Sequence, residues 1–244
     1  MSDAPVAVVT GGSAGIGRAV GERLDRRGYR VVSIARHRAD ADGGWTPPVE
    51  HQADVADADA LARVAEQVQA ELGRVDALVT CAGAVTRGAL AEAPVADLTR
   101  QVEVNLLGTM NACRAFTPAL RVARGAVVTL SSSIAANPQP SASAYAAAKG
   151  GVEAFTRALA LEIAPVRVNA VRPSLVDTGI WVTGGMAAED YSALLERRAA
   201  EYPLGRVGNP EDVAAAVAFL LSAEAAWITG VVLPVDGGAN LVGR

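Results

Sequence analysis

Cysteine is scarce in this chain: Cys81 and Cys113 are the only two in 244 residues. Two thiols build no disulfide framework at this length, and they fit a reducing, cytoplasmic setting. Two histidines and two cysteines show no metal-ligand spacing, so no metal is expected. A basic surplus is missing too. The net charge is −4 and the isoelectric point about 5.3, which argues against nucleic acid as a partner. The longest uncharged stretch, residues 125–148, holds Ser131-Ser132-Ser133, Asn137, Pro138, Gln139 and Pro140, so it does not read as a membrane span. Residues 1–5 carry neither a basic nor an apolar leader segment, so no secretory signal is expected. Aromatic residues make up only 4%, and of 22 Lys+Arg residues only Lys149 is lysine.

What is present is apolar bulk. Hydrophobic residues form 51% of the chain and charged residues 20%, the opposite of a disordered composition. Short β-branched runs at 6–10, 30–35, 75–80, 126–130, 166–171 and 231–235 read as strands. Most are continuously apolar, as in a sheet covered on both faces. Ala-rich amphipathic stretches at 16–27, 57–72, 95–122, 144–164 and 211–223 read as helices. Alternating β and α units with short connections predict a parallel sheet between helices, in one domain spanning 1–244. Gly43-Gly44 and Pro47-Pro48 mark a loop, and Gly184-Gly185 opens a second irregular region.

The first strand runs into Thr10-Gly11-Gly12-Ser13-Ala14-Gly15-Ile16-Gly17 and then a helix. Glycines here let the backbone turn sharply and approach a pyrophosphate seated on the helix N-terminus. The spacing is G-x-x-x-G-x-G rather than G-x-G-x-x-G. Its place at the first βα junction nonetheless predicts a dinucleotide site around Gly11, Ser13, Gly15, Ile16 and Gly17. In such units an acidic residue about 20 positions on binds the ribose 2′-hydroxyl of NAD. Nineteen residues after Gly17, this chain instead has Arg36, within Ala35-Arg36-His37-Arg38. With two guanidiniums and no carboxylate, the 2′-phosphate of NADP(H) is favoured, meeting Arg36, with Arg38 as second choice.

Tyr145-Ala146-Ala147-Ala148-Lys149 puts a phenol and an ammonium at i and i+4, on one helix face. A free phenol has a pKa near 10, and a neighbouring ammonium lowers it by stabilising phenolate. The sole lysine of an arginine-using chain stands where a compact ammonium suits the chemistry and a planar guanidinium does not.

On these residues the chain resembles the short-chain dehydrogenase/reductase family nearly end to end, and is similar to its 3-oxoacyl-acyl-carrier-protein reductase-like members. The resemblance rests on T-G-x-x-x-G-x-G, the Y-x-x-x-K pair and their separation. It implies a Rossmann-type three-layer α/β/α sandwich with a doubly wound, seven-stranded parallel sheet. It also implies an Asn-Ser-Tyr-Lys tetrad, to which Tyr145 and Lys149 match directly. The family serine, thirteen residues before the tyrosine, is Ser132, flanked by Ser131 and Ser133. The family asparagine matches Asn105, in Asn105-Leu106-Leu107-Gly108. By the same resemblance, Asp54 and Val55 meet the adenine and Cys81, Ala82 and Gly83 its ribose. Pro173, Val176 and Thr178 hold the nicotinamide end.

The implied activity is NADP(H)-dependent hydride transfer between a ketone and a secondary alcohol. Ser132 and Tyr145 bind the carbonyl oxygen and Tyr145 exchanges the proton. Lys149 lowers the tyrosine pKa and orients the ribose, and Asn105 holds a water linking Lys149 to solvent. Reduction of β-ketoacyl thioesters is the narrower alternative, and a non-catalytic NADP(H)-sensing module is an alternative of another class. The family also implies a homotetramer or homodimer through the helices at 95–122 and 144–164.

The chain departs from the pattern in places. Cys81 stands where the family has asparagine, and Ala135 and Ser174 where it has glycines. The stretch from Arg36 to Asp54 is short, so the second crossover helix is expected to shrink to a loop. Residues at about 179–205 are expected to cover the substrate. Trp181 reads there as a substrate contact or a packing anchor, and Gly184-Gly185 as a hinge or a turn. Tyr191 and Tyr202 are weaker contacts. A carrier-bound substrate asks for a basic mouth. Arg121 and Arg124 precede the serine strand, but the Ala164-Pro165-Val166 turn adds no second basic residue.

Overall fold

A computed structural model describes residues 4–38 and 44–242; Gly43 of the expected loop lies outside them. Seven strands form one parallel sheet: β1 (Val6–Thr10), β2 (Arg30–Ala35), β3 (Val49–Gln52), β4 (Ala77–Thr80), β5 (Ala126–Leu130), β6 (Arg167–Pro173) and β7 (Val232–Val235). Their order is β3-β2-β1-β4-β5-β6-β7. The described residues form eight α-helices: α1 (Gly15–Arg26), α2 (Ala58–Leu72), α3 (Val95–Val102), α4 (Gly108–Ala123), α5 (Ser143–Glu162), α6 (Ile180–Thr183), α7 (Ala188–Glu201) and α8 (Pro210–Leu221).

Strand alternation builds two cores. Val6 and Val8 face one way, against Leu61 of α2, Phe116 of α4 and Leu159 of α5. Ala7 and Val9 face the other, against Val20 and Leu24 of α1 and Val213 and Val217 of α8. This is the three-layer, doubly wound sandwich that the resemblance implied. The strand order reverses between β1 and β4, and ligands bind such sheets outside the carboxyl ends at that point.

Two local departures from the pattern matter. Residues 49–52 carry no apolar run, yet they form β3: this edge strand is only half-buried and tolerates Glu50, His51 and Gln52. No helix occurs between β2 and β3 among the described residues. The expected single helix at 95–122 is broken by a π-turn, Glu103–Leu107, between α3 and α4. Just after that turn Gly108 lies so close to β3's exit loop that a Cβ would stand 2.5 Å from Val55 Cγ2. The Asn105 side chain fills the distorted ladder by donating to the Gln101 carbonyl at 2.8 Å.

Candidate active site

The loop after β1 is shaped by close backbone approach. Gly11 has φ +70°, and its N–H donates to the Ile34 carbonyl at 2.7 Å. A Cβ on Gly17 would lie 2.2 Å from the Gly11 carbonyl oxygen. The chain after β4 runs alongside: Cys81 N–H donates to the Thr10 carbonyl at 3.1 Å and Ala82 N–H to Thr10 Oγ1 at 3.3 Å. Helix α1 has no side-chain cap and no acidic residue in its first turn, so its leading N–H groups face the loop Gly11–Ser13–Gly15 unclaimed by side chains. A tight glycine cradle at an uncapped helix start, with Ile16 reaching the cavity wall, fits a dinucleotide pyrophosphate.

The adenosine end is partly legible. Arg36 stands exposed just past β2, and its charge helps hold down the Asp54 pKa. Arg38 lies 3.8 Å from Glu50, so Arg36 is the freer guanidinium. Asp54 accepts from Ala56 N–H at 3.0 Å and from Arg100 at 2.5 Å. Burial pushes its carboxyl up, but those bonds and the two arginine charges outweigh it and hold the pKa below the usual range. Arg100, in α3, had no signal in the sequence. Val55 is buried, and its carbonyl accepts from Asn111 at 3.0 Å.

Helix α5 carries Tyr145 and Lys149 inward on one face, and both are buried. Ser132 comes from the end of β5 and starts a short 3₁₀ turn, its Oγ accepting from Ile134 N–H at 3.4 Å. All three line a cavity of about 600 Å³ with Cys81, Gly83, Pro173, Val176 and Thr178. The three adjacent serines are separated by their partners. Ser131 Oγ donates to Glu153 at 2.7 Å, and Ser133 Oγ to Ser174 at 3.4 Å. Ser132 sits beside the phenol. Glu153 is one turn beyond Lys149 and pairs with Arg172 at 3.2 Å, an ion pair absent from the sequence reading.

Asn105 does not line the cavity. It is fully buried, donating to the Ala84 carbonyl at 2.7 Å as well as to Gln101. Its side chain therefore braces the loop after β4, because the π-turn aims it at that backbone rather than at Lys149.

The electrostatics correct one expectation. Burial pushes the Tyr145 phenol up to about 12, opposed only by the neighbouring Ser132 hydroxyl. Lys149 does not offset this: its Nζ lies 5.8 Å from the ring centroid and donates instead to the Leu130 carbonyl at 2.8 Å. Burial likewise pushes Lys149 down to about 8, with charge at Cys81 opposing, and pushes the Cys81 thiol up to about 12. Between pH 8 and the ordinary lysine value of 10.5 the unfolded chain binds more protons at this site than the native one. Stability at this site therefore rises with pH across that window. In urea melts of wild type against Lys149→Met, the difference should move in favour of wild type from pH 8 to pH 10. A pH-independent difference would refute the buried, depressed ammonium.

Residues 179–205 contain α6 and α7. Trp181 meets Tyr145 edge-to-face, with centroids 6.4 Å apart at 70°, and also lines the cavity, so it is both anchor and wall. Gly184 is a turn residue ending α6, where a Cβ would lie 2.4 Å from the Val85 carbonyl oxygen. Tyr191 and Tyr202 are buried, and of the two only Tyr202 lines the cavity. Tyr191 donates to Asp177 at 2.9 Å, and Tyr202 bonds Ser174 at 2.7 Å, so both hold the 173–178 segment. Arg121 and Arg124 lie before the amino end of β5, opposite Ser132 at its carboxyl end, so neither reaches the mouth of this chain's own cavity.

A nucleotide cradle that opens onto a buried phenol and hydroxyl defines an oxidoreductase acting on CH–OH or C=O groups with a nicotinamide cofactor. The chain belongs to the short-chain dehydrogenase/reductase family: a family model described as enoyl-(acyl carrier protein) reductase matches residues 11–240. It is 37% identical over 244 residues to a human 3-oxoacyl-[acyl-carrier-protein] reductase, covering 97% of this chain and 98% of that protein. It is 39% identical over 250 residues to a putative ketoacyl reductase of granaticin polyketide synthesis from Streptomyces violaceoruber, covering 98% of each. Among solved structures, the aldohexose dehydrogenase of Thermoplasma acidophilum superposes with a TM-score of 0.91 at 32% identity, covering 99% of this chain and 96% of that one.

Proposed function

We propose that this protein is an NADP(H)-dependent oxidoreductase that reduces a ketone to a secondary alcohol, or runs the reverse. The observation that carries the reading is Ser132 beside the Tyr145 phenol on one cavity wall, with Lys149 packed behind on the same helix face. Bound nicotinamide would supply or accept the hydride. Ser132 Oγ and the Tyr145 hydroxyl donate to the carbonyl oxygen where negative charge develops. A phenol with a pKa of about 12 is protonated at neutral pH, so Tyr145 holds the proton that the alkoxide takes up. Lys149 is held by the Leu130 carbonyl beneath the phenol, and Asn105 fixes the loop that borders the cavity. Residues 179–205 close over the substrate.

Arg36 supports NADP(H) over NAD(H). Replacing it with alanine should raise the NADPH KM about tenfold or more, the scale of one charge-assisted contact, and change the NADH KM far less. Steady-state kinetics with both cofactors check this, and equal effects would refute the assignment.

Reduction of β-ketoacyl thioesters is the narrower reading, supported by the names of the human and Streptomyces relatives. NADPH oxidation with a small β-ketoacyl thioester, beside simple ketones, tests it. Assembly as a homotetramer or homodimer is supported by exposed Leu107, Met110 and Val122 along the α4 stretch and by Leu161 on α5. A monomer in light scattering would refute it.

A further inference from the structure

We infer that the cavity has an anion subsite at Arg87, and that the substrate is an oxo acid or hydroxy acid whose carboxylate sits there. This rests on the ketone-reductase reading and names its substrate class. Arg87 lies in the loop after β4, and its guanidinium carbon stands 5.8 Å from the Trp181 ring centroid. Trp181 in turn meets Tyr145 at 6.4 Å. Trp181 thus contacts both the proton donor and the cation, and all three line the cavity.

Arg87 is exposed, but the loop that carries it is pinned. On either side of it, Thr86 N–H donates to the buried Gln101 side chain at 3.2 Å, and Gly88 N–H to the Ser141 carbonyl at 3.0 Å. Arg87 Nη2 donates to the Pro140 carbonyl at 3.4 Å, and its guanidinium carbon lies over the indole ring. That leaves the fork of donors that suits a carboxylate. Among the described residues Arg87 has no carboxylate partner, whereas Arg198, the other arginine on the cavity wall, is neutralised by Glu201 at 2.7 Å. Apolar Val85, Ile134 and Ile180 line the same cavity. Such a wall favours a carbon spacer. The guanidinium and the Tyr145 ring can be no farther apart than the two spans above combined, which suits a short chain or a single ring.

In the reaction the carbonyl carbon gains hydride from NADPH and its oxygen gains the Tyr145 proton. The carboxylate is unchanged, so the subsite affects binding and register, not electron balance. A phosphate on a carrier arm is the other anion that could meet Arg87, and the test separates the two.

NADPH oxidation should be followed with 4-oxopentanoate, 5-oxohexanoate and 6-oxoheptanoate, with their methyl esters, and with acetoacetyl-CoA. Wild type is compared with Arg87→Ala and Arg87→Glu, and Tyr145→Phe is the chemical control. The expected result is a preference of about tenfold or more in kcat/KM for one acid over its ester. That preference should be lost in Arg87→Ala and inverted in Arg87→Glu. An acid preference that is absent, or that survives both substitutions, overturns the subsite while leaving the reductase reading intact. Arg87 dependence confined to acetoacetyl-CoA overturns the carboxylate in favour of a phosphate. Absence of Tyr145-dependent turnover with every compound overturns the reductase reading, and the subsite with it.

Discussion

Tyr145→Phe should lower kcat about 10³-fold, the middle of the range for a positioned general acid, while NADPH still binds. The substitution removes one oxygen and little else. The ring keeps its place among Val85, Ile134 and Ala142, and its edge contact with Trp181, so the fold and the cavity walls persist. What disappears is the one protonated group beside Ser132 that can deliver a proton to the carbonyl oxygen. Ser132 remains as a donor, but a serine hydroxyl is a poor source of a proton at neutral pH. NADPH oxidation by stopped-flow, together with NADPH binding followed by its fluorescence, separates chemistry from binding. Turnover within threefold of wild type would mean another group is the acid, and the proposed mechanism would fall.

Gly17→Ala should weaken NADPH binding by about tenfold or more and lower the thermal midpoint. The new methyl would lie 2.2 Å from the Gly11 carbonyl oxygen and 3.2 Å from Cys81 Cβ. Neither neighbour can yield easily. The Gly11 peptide is fixed by its bond to Ile34 and its left-handed φ, and Cys81 is tied to the Thr10 carbonyl. Helix α1 must therefore shift off the sheet. Overpacking of this kind costs roughly 1–3 kcal/mol, or some 2–4 °C per kcal/mol for a chain of this size. The same shift would move the leading N–H groups of α1 out of the cradle proposed to hold the pyrophosphate. Calorimetry and NADPH titration report the two effects separately. If both stay at wild-type values, the close approach of α1 to the loop is not what shapes the cradle.

The sequence by itself determined the features that are local along the chain. Six of the seven strands and all five of the helices read from the pattern occur within a few residues of where periodicity placed them, although the π-turn splits one. The glycine loop and the Tyr145–Lys149 pair are likewise set by spacing within one or two turns. Arg36 follows from its place at the end of β2. Strand β3 was hidden from periodicity, though the resemblance implied a seventh strand, because a half-buried edge strand needs no apolar run.

Tertiary structure decided what depends on partners distant in the chain. It gave Ser131 to Glu153 and Ser133 to Ser174, and it set Ser132 beside the phenol. It turned Asn105 onto the backbone of Ala84 and tied Asp54 to Arg100. It set Tyr191 and Tyr202 to hold the 173–178 segment and placed Arg87 against Trp181. It also reversed the expected direction of the Tyr145 pKa. Spacing reveals that an ammonium is near a phenol, but desolvation is the sum over every wall of the cavity, and those walls come from β4, β5, α5 and α6 together.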